Sequence, residues 1–132
     1  MQKNGLHESG ENYLKEIYII QKNQGFVRSI DIAQKFGYSK PSISRAMKIL
    51  KENHYIVMDN DKVIRLTDSG EEKAQIIFQR YLFIKRFLIL VLQVDEKTAS
   101  QDACKMEHRI SEETFKQMQL TLNKMAEVKK NS

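Results

Sequence analysis

Cys104, Glu107 and His108 fall within the run Cys104-Lys105-Met106-Glu107-His108, in a stretch whose pattern predicts a helix. Positions i, i+3 and i+4 share one helical face, so a thiol, a carboxylate and an imidazole would converge there. Soft, hard and borderline donors together suit a divalent transition cation. The spacing alone is also met by a small buried cysteine beside an ordinary surface Glu–His pair. A second set of residues is basic. Lys35, Lys40, Arg45, Lys48 and Lys51 lie between residues 35 and 51 with no acid among them. Interleaved with the hydroxyls of Ser39, Ser42 and Ser44, these cations form the kind of face that binds a polyanion such as DNA.

The elements around the basic set predict how it is presented. Ile30, Ile32, Ala33 and Phe36 recur at helical spacing after Ser29, an expected N-cap, and Gly37 closes that helix with a positive φ. Tyr38-Ser39-Lys40 makes a turn, and a second helix starts at Ser39 or Lys40 with Pro41 in its first turn. Ile43, Met47 and Leu50 form its apolar back. After Asn53 the period changes: Tyr55–Met58 and Lys62–Leu66 read as strands around the turn Asp59-Asn60-Asp61. A hairpin directly after a recognition helix is the wing of a winged helix. Ser39, Pro41, Ser42 and Arg45 are then the base-proximal candidates, with Arg45 able to take guanine O6 and N7 together. Arg28, Lys40, Ser44, Lys48, Lys51 and Lys62 are the phosphate candidates. The competing reading is a helical hairpin with a solvated charged face.

Upstream, residues 1–8 are polar and expected to fray, and Ser9 caps a helix to about Lys22 that buries Tyr13, Leu14, Ile17 and Ile20. Gly25 ends it. Downstream, Asp68 and Glu71 form a capping box, so a long helix begins near Ser69 and continues to about Leu92. Its second half, from Leu82 onward, is apolar nearly all round. Burial against a second copy of the chain explains that economically, and a two-fold dimer matches palindromic DNA sites. Asp95 caps a further helix to about Arg109, and Ser111 opens a last one to about Met125. The fold class is mainly α: a winged helix-turn-helix DNA-binding domain over 1–66, followed by an all-helical metal-binding and dimerisation domain over 67–132.

Composition narrows the function classes. The chain has 132 residues, a net charge of +5 and 41% hydrophobic residues, enough for small domains with their own cores. One cysteine excludes an intramolecular disulfide and suits the cytoplasm. No signal peptide is visible, and the apolar run Tyr81–Val94 is too short for a bilayer and contains Lys85 and Arg86. No membrane partner is expected. The 5 glycines are not clustered, so there is no phosphate-binding loop. A Cys–His pair on one helix lacks an orienting third group and an oxyanion hole. An enzyme with a small organic substrate is not expected.

The segments ENYLKEIYII, SIDIAQKFGYSKPSIS, LTDSG and DACKMEHRIS, in that order, resemble the metal-dependent repressors of the diphtheria toxin repressor and manganese transport regulator family. The resemblance runs from about Glu11 to Met118, and its length looks like the short members without an SH3-like domain. It implies a homodimeric winged-helix regulator, a repressor of metal homeostasis genes, in which a divalent cation joins the first helix to the dimerisation domain and sets the separation of the recognition helices. The family's primary site then falls on Cys104, Glu107, His108 and Asn12. Asn12 departs from the family's Met or Asp, and Lys15 replaces a second ligand. Tyr81 and Lys85 stand where an ancillary site would have a His and a carboxylate. Fe(II) is the first expectation from the family and the thiolate, and Mn(II) the second. The alternative is a metal-independent dimer of the same fold with a vestigial site, in which Cys104 is structural or redox-active.

Overall fold

The structure, a computed structural model, describes residues 8–131, with side chains described for 9–128. In chain order the elements are α1 (Glu8–Gln24), β1 (Val27–Arg28), α2 (Ser29–Phe36), α3 (Lys40–Glu52), β2 (Ile56–Met58), β3 (Val63–Leu66), α4 (Asp68–Leu90), α5 (Glu96–Met106) and α6 (Glu112–Asn131). Two compact units divide the chain at Ile77/Phe78, inside α4 rather than at its start. The leader expected to fray lies, apart from Glu8, outside the described residues.

In the first unit, α1 buries Tyr13, Leu14 and Ile17 as its apolar spacing requires, together with Tyr18. Ile32 of α2 and Ile43, Met47 and Leu50 of α3 close on the same core. A three-stranded antiparallel sheet of order β1-β3-β2 completes it, with Val27 opposite Ile64 and Val57 opposite Arg65. Val27, Ile56, Val63 and Ile64 are its buried side chains. The first turns of α4 belong to this unit through buried Ala74 and Ile77. Gly70 sits so close to the wing that a Cβ there would overlap the Tyr55 carbonyl.

Several helix ends differ from the expected ones. The N-cap of α2 is Arg28, not Ser29: the Arg28 N–H donates to Asp31 Oδ2 at 2.9 Å, which secures the first turn from three residues on. At α4 the cap is Thr67 rather than Asp68, its Oγ1 accepting from the Gly70 N–H at 3.0 Å and donating to the His54 carbonyl at 2.6 Å. That double contact ties the end of α3 to the start of α4. α1 begins before Ser9 and runs to Gln24, where Gly25 at φ 87 ends it. α4 stops at Leu90, short of Leu92, because Gln93 turns left-handed at φ 59 and the Val94 N–H returns to the Leu88 carbonyl at 3.0 Å.

The second unit packs Ile84 and Leu88 of α4 against Ala99 and Ala103 of α5 and Met118 of α6. Phe83 meets Phe115 edge-on at 5.5 Å. Arg80 fixes the α5–α6 connection: its guanidinium donates to Glu112 Oε1 at 2.6 Å and to the Ile110 carbonyl at 2.9 Å, and lies 4.5 Å over the Phe115 ring. Leu82 and Leu90 on α4, and Leu92 just after it, stay exposed. No helix among the described residues is long and apolar enough to cross a membrane.

Candidate functional site

The basic set is assembled as a surface. Gly37, at φ 68 and ψ 25, ends α2 with its N–H on the Ala33 carbonyl, and Ser39 Oγ then caps α3 by accepting from the Ser42 N–H. Pro41 occupies the first turn of α3, where no amide donor is needed. Burial of Ile43, Met47 and Leu50 turns Lys40, Pro41, Ser44, Arg45, Lys48 and Lys51 outward, with Ser42 half-buried at the cap. Arg45 Nη2 reaches Ser42 Oγ at 3.5 Å, which leans the guanidinium toward the N-terminal end of the helix. Arg28 is exposed beside Phe26, 5.3 Å from its ring.

Lys62 stands on the wing at φ 64, its N–H on the Asp59 carbonyl at 2.9 Å. Between the wing, α2 and α3 runs a groove of about 630 Å³. Its floor includes Ile43, Met47 and Ile56, and Lys40, Lys48, Lys51 and Lys62 line it without any acid. Ile30, one of the apolar residues at helical spacing in α2, is 51% exposed and lines this groove too. The wing also holds an acid–base pair: Arg65 Nε donates to Asp59 Oδ2 at 3.1 Å, and that hydrogen bond holds the Asp59 carboxyl below its ordinary pKa.

The thiol–carboxylate–imidazole set is arranged differently from a single helical face. α5 ends at Met106, Glu107 is its C-cap, and His108 and Arg109 lie in the turn beyond. The Glu107 N–H still reaches the Ala103 carbonyl at 3.0 Å, so its side chain follows from the helix, whereas that of His108 follows from the turn. The outcome is a direct pair: His108 Nε2 lies 3.2 Å from Glu107 Oε1, with side-chain exposures of 2% and 0%. Cys104 is half-buried one turn earlier. Among the described residues no three His, Cys, Asp or Glu side chains are gathered as a metal-holding group. The donor types suit a divalent transition cation. In the other unit, Asn12 is half-buried on α1 and Lys15 is 4% exposed.

Both halves of the chain match one family. Residues 5–64 match "Iron dependent repressor, N-terminal DNA binding domain", and residues 67–130 match "Iron dependent repressor, metal binding and dimerisation domain". The chain belongs to the iron-dependent repressor family. An uncharacterised HTH-type transcriptional regulator of Methanocaldococcus jannaschii is 32% identical over 120 residues, spanning 90% of this chain and 96% of that protein. The transcriptional regulator MntR of Escherichia coli O6:H1 is 33% identical over 114 residues, 86% of this chain and 73% of that one. Among solved structures, the metal-dependent transcriptional regulator MtsR superposes with a TM-score of 0.79 at 27% identity, covering 86% of this chain. The chain spans about half the length of that structure, 53%. As a member of the iron-dependent repressor family the protein is a metal-dependent DNA-binding regulator of transcription, and the residues above are where that activity is to be sought.

Sequence reasoning missed two features. The direct Glu107–His108 pairing depends on the helix ending at Met106, and nothing in Lys105-Met106-Glu107 announces that stop. The other is the half-exposed ring of Tyr38, since its position in the sequence predicts only a turn.

Proposed function

We propose that the chain is a homodimeric, metal-dependent repressor of metal homeostasis genes that acts on cytoplasmic DNA by placing α3 of each copy in the major groove of a palindromic operator. The observation that carries this reading is the outer face of α3 from Lys40 to Lys51, basic and without an acid, continued by Lys62 on the wing. Arg45, leaning toward the helix N-terminus, is the base reader, with Ser39, Pro41 and Ser42 beside it. Arg28, Lys40, Ser44, Lys48, Lys51 and Lys62 hold phosphates, and so set affinity and its salt dependence rather than sequence preference. Exposed Leu82 and Leu90, with Phe83 and Ile89 on the same stretch of α4, are the surface for the second copy.

Cys104, Glu107 and His108 are the metal ligands in this reading, with Asn12 from the first unit. A divalent transition cation would be held there by the Cys104 sulfur, which gives up its proton on ligation, and by the Glu107 carboxylate. His108 contributes a neutral nitrogen, and the amide oxygen of Asn12 contributes no charge. Fe(II) follows from the family's description, while Mn(II) follows from likeness to relatives named for manganese regulation.

Anaerobic calorimetric titration of Fe(II) and Mn(II), beside the Glu107→Ala variant, tests the site. Stoichiometric binding that is lost in the variant is expected, with DNA affinity in the presence of metal falling by about 5–150-fold, the usual range of allosteric coupling. Unchanged metal response in Glu107→Ala would refute the ligand assignment. No binding by the wild type would mean that the fold has kept its DNA-reading face and abandoned its metal switch.

A further inference from the structure

Tyr38 stands between Gly37, which ends α2, and Ser39, which caps α3. Its side chain is 54% exposed, yet its ring is held from two directions. It stacks on Phe36 with centroids 5.7 Å apart and planes 16° from parallel. Tyr13 meets it edge-on at 6.3 Å and meets Phe36 edge-on at 4.8 Å. Tyr13 is itself buried in the core of the first unit, so the cluster anchors an exposed ring to that core. The Tyr38 ring is half in water, packed against two others, and belongs to a residue with a polar tip directly before the cap of α3.

The neighbouring hydroxyls are already engaged. Ser39 Oγ accepts from the Ser42 N–H and donates to Ser42 Oγ at 3.1 Å, so the cap serine is committed to holding the helix start. We propose that Tyr38 is a DNA contact, its phenol hydroxyl donating to a phosphate oxygen at the edge of the major groove that α3 enters. This assignment rests on the DNA-reading function proposed above. The N-terminal end of α3 carries partial positive charge and favours a phosphate beside it. Stacking has already removed the freedom of the tyrosine side chain, so little conformational entropy remains to be lost on binding. Unlike the lysines around it, Tyr38 is neutral. Its contribution therefore adds affinity without adding to counterion release.

Binding of the full chain, with saturating Mn(II), to the tightest duplex recovered from a random pool separates these roles. Tyr38→Phe keeps the ring and removes one hydroxyl. It is expected to weaken binding about tenfold, as for a hydrogen bond to a charged group, while the thermal midpoint and the slope of log K against log salt stay at wild-type values. Lys48→Ala, by contrast, is expected to reduce that slope by about one. Wild-type affinity in Tyr38→Phe would overturn the contact. So would a Tyr38→Ala variant that loses affinity and thermal midpoint together while Tyr38→Phe keeps both, since the ring would then only position the turn. A wild-type protein that binds no duplex at all would instead overturn the DNA-reading function, and Tyr38 with it.

Discussion

The two units of this chain put their polar chemistry on opposite sides of their surfaces. In the first unit the core around Leu14, Ile32, Leu50 and Ile64 is apolar, with Lys15 the one charged residue buried among those described, and Lys40, Arg45, Lys48 and Lys51 stand outside. In the second, a carboxylate and an imidazole are inside, at 0% and 2% side-chain exposure, while Leu82, Leu90 and Leu92 face outward. A surface that reads a polyanion needs exposed cations on a packed base, and the first unit supplies them by burying the apolar back of α3. A site that senses a cation gains from desolvated ligands, because Coulomb attraction strengthens as water is removed. The outward leucines in turn suit a partner of the same kind. Reading and sensing thus ask opposite things of a small fold, and in the proposed function the DNA-reading face belongs to the first unit while Cys104, Glu107 and His108 belong to the second.

The contrast can be broken by exchanging what is inside and outside. Ile84→Ala empties a fully buried position in the second unit and should cost about 2–5 kcal/mol of its stability, measured by denaturant unfolding. Leu82→Gln, on the exposed side of the same helix, should leave that unfolding free energy within about 0.5 kcal/mol at matched association state. It should instead shift sedimentation from dimer toward monomer. A Leu82→Gln protein that sediments like the wild type would remove the partner surface from the second unit. Gly70→Ala sharpens the comparison from the other unit: although alanine favours helix, the overlap with the Tyr55 carbonyl should give a net loss of about 1–3 kcal/mol. Wild-type thermal stability in that variant would mean that the joint between wing and α4 is more yielding than its packing implies.

The smallest effect is expected in acid. The Asp95 carboxylate, capping α5, is held below its ordinary pKa mainly by the Thr98 backbone N–H. A carboxylate with a lowered folded pKa contributes stability that is complete above its unfolded value, near 3.8, and lost as pH falls through the lowered value. Asp95→Asn keeps a capping oxygen without the charge, so its stability should fall less steeply below about pH 4 than that of the wild type. Identical acid profiles for the two proteins would remove Asp95 from the account.

Much of this was legible in the sequence wherever a residue type constrains the backbone strongly. Gly37 closing α2, Pro41 opening α3 and the change of period after Asn53 placed the helix-turn-helix and the wing, and the apolar positions of α3 gave its buried face correctly. The failures cluster where the backbone does something its residue does not advertise. His54, Lys62 and Gln93 all take positive φ without being glycine, and the first and last of these end α3 and α4. Thr67 caps α4 in place of Asp68 because its hydroxyl is the oxygen that reaches the Gly70 amide, and Arg28 takes the cap position of α2 by its extended backbone, its N–H donating to Asp31. The metal candidates were found by type and spacing. Their pairing depended on a helix ending one residue before Glu107, a choice made by packing rather than by local propensity.

The three strands are of 2, 3 and 4 residues, and the longest, β3, lies in the middle with a neighbour on each side. Both edges of the sheet are therefore too short to template an intruding strand, a common route from a folded domain to an ordered aggregate. A protein that leaves Leu82, Leu90 and Leu92 exposed is thereby spared a further, unprogrammed way of sticking to itself.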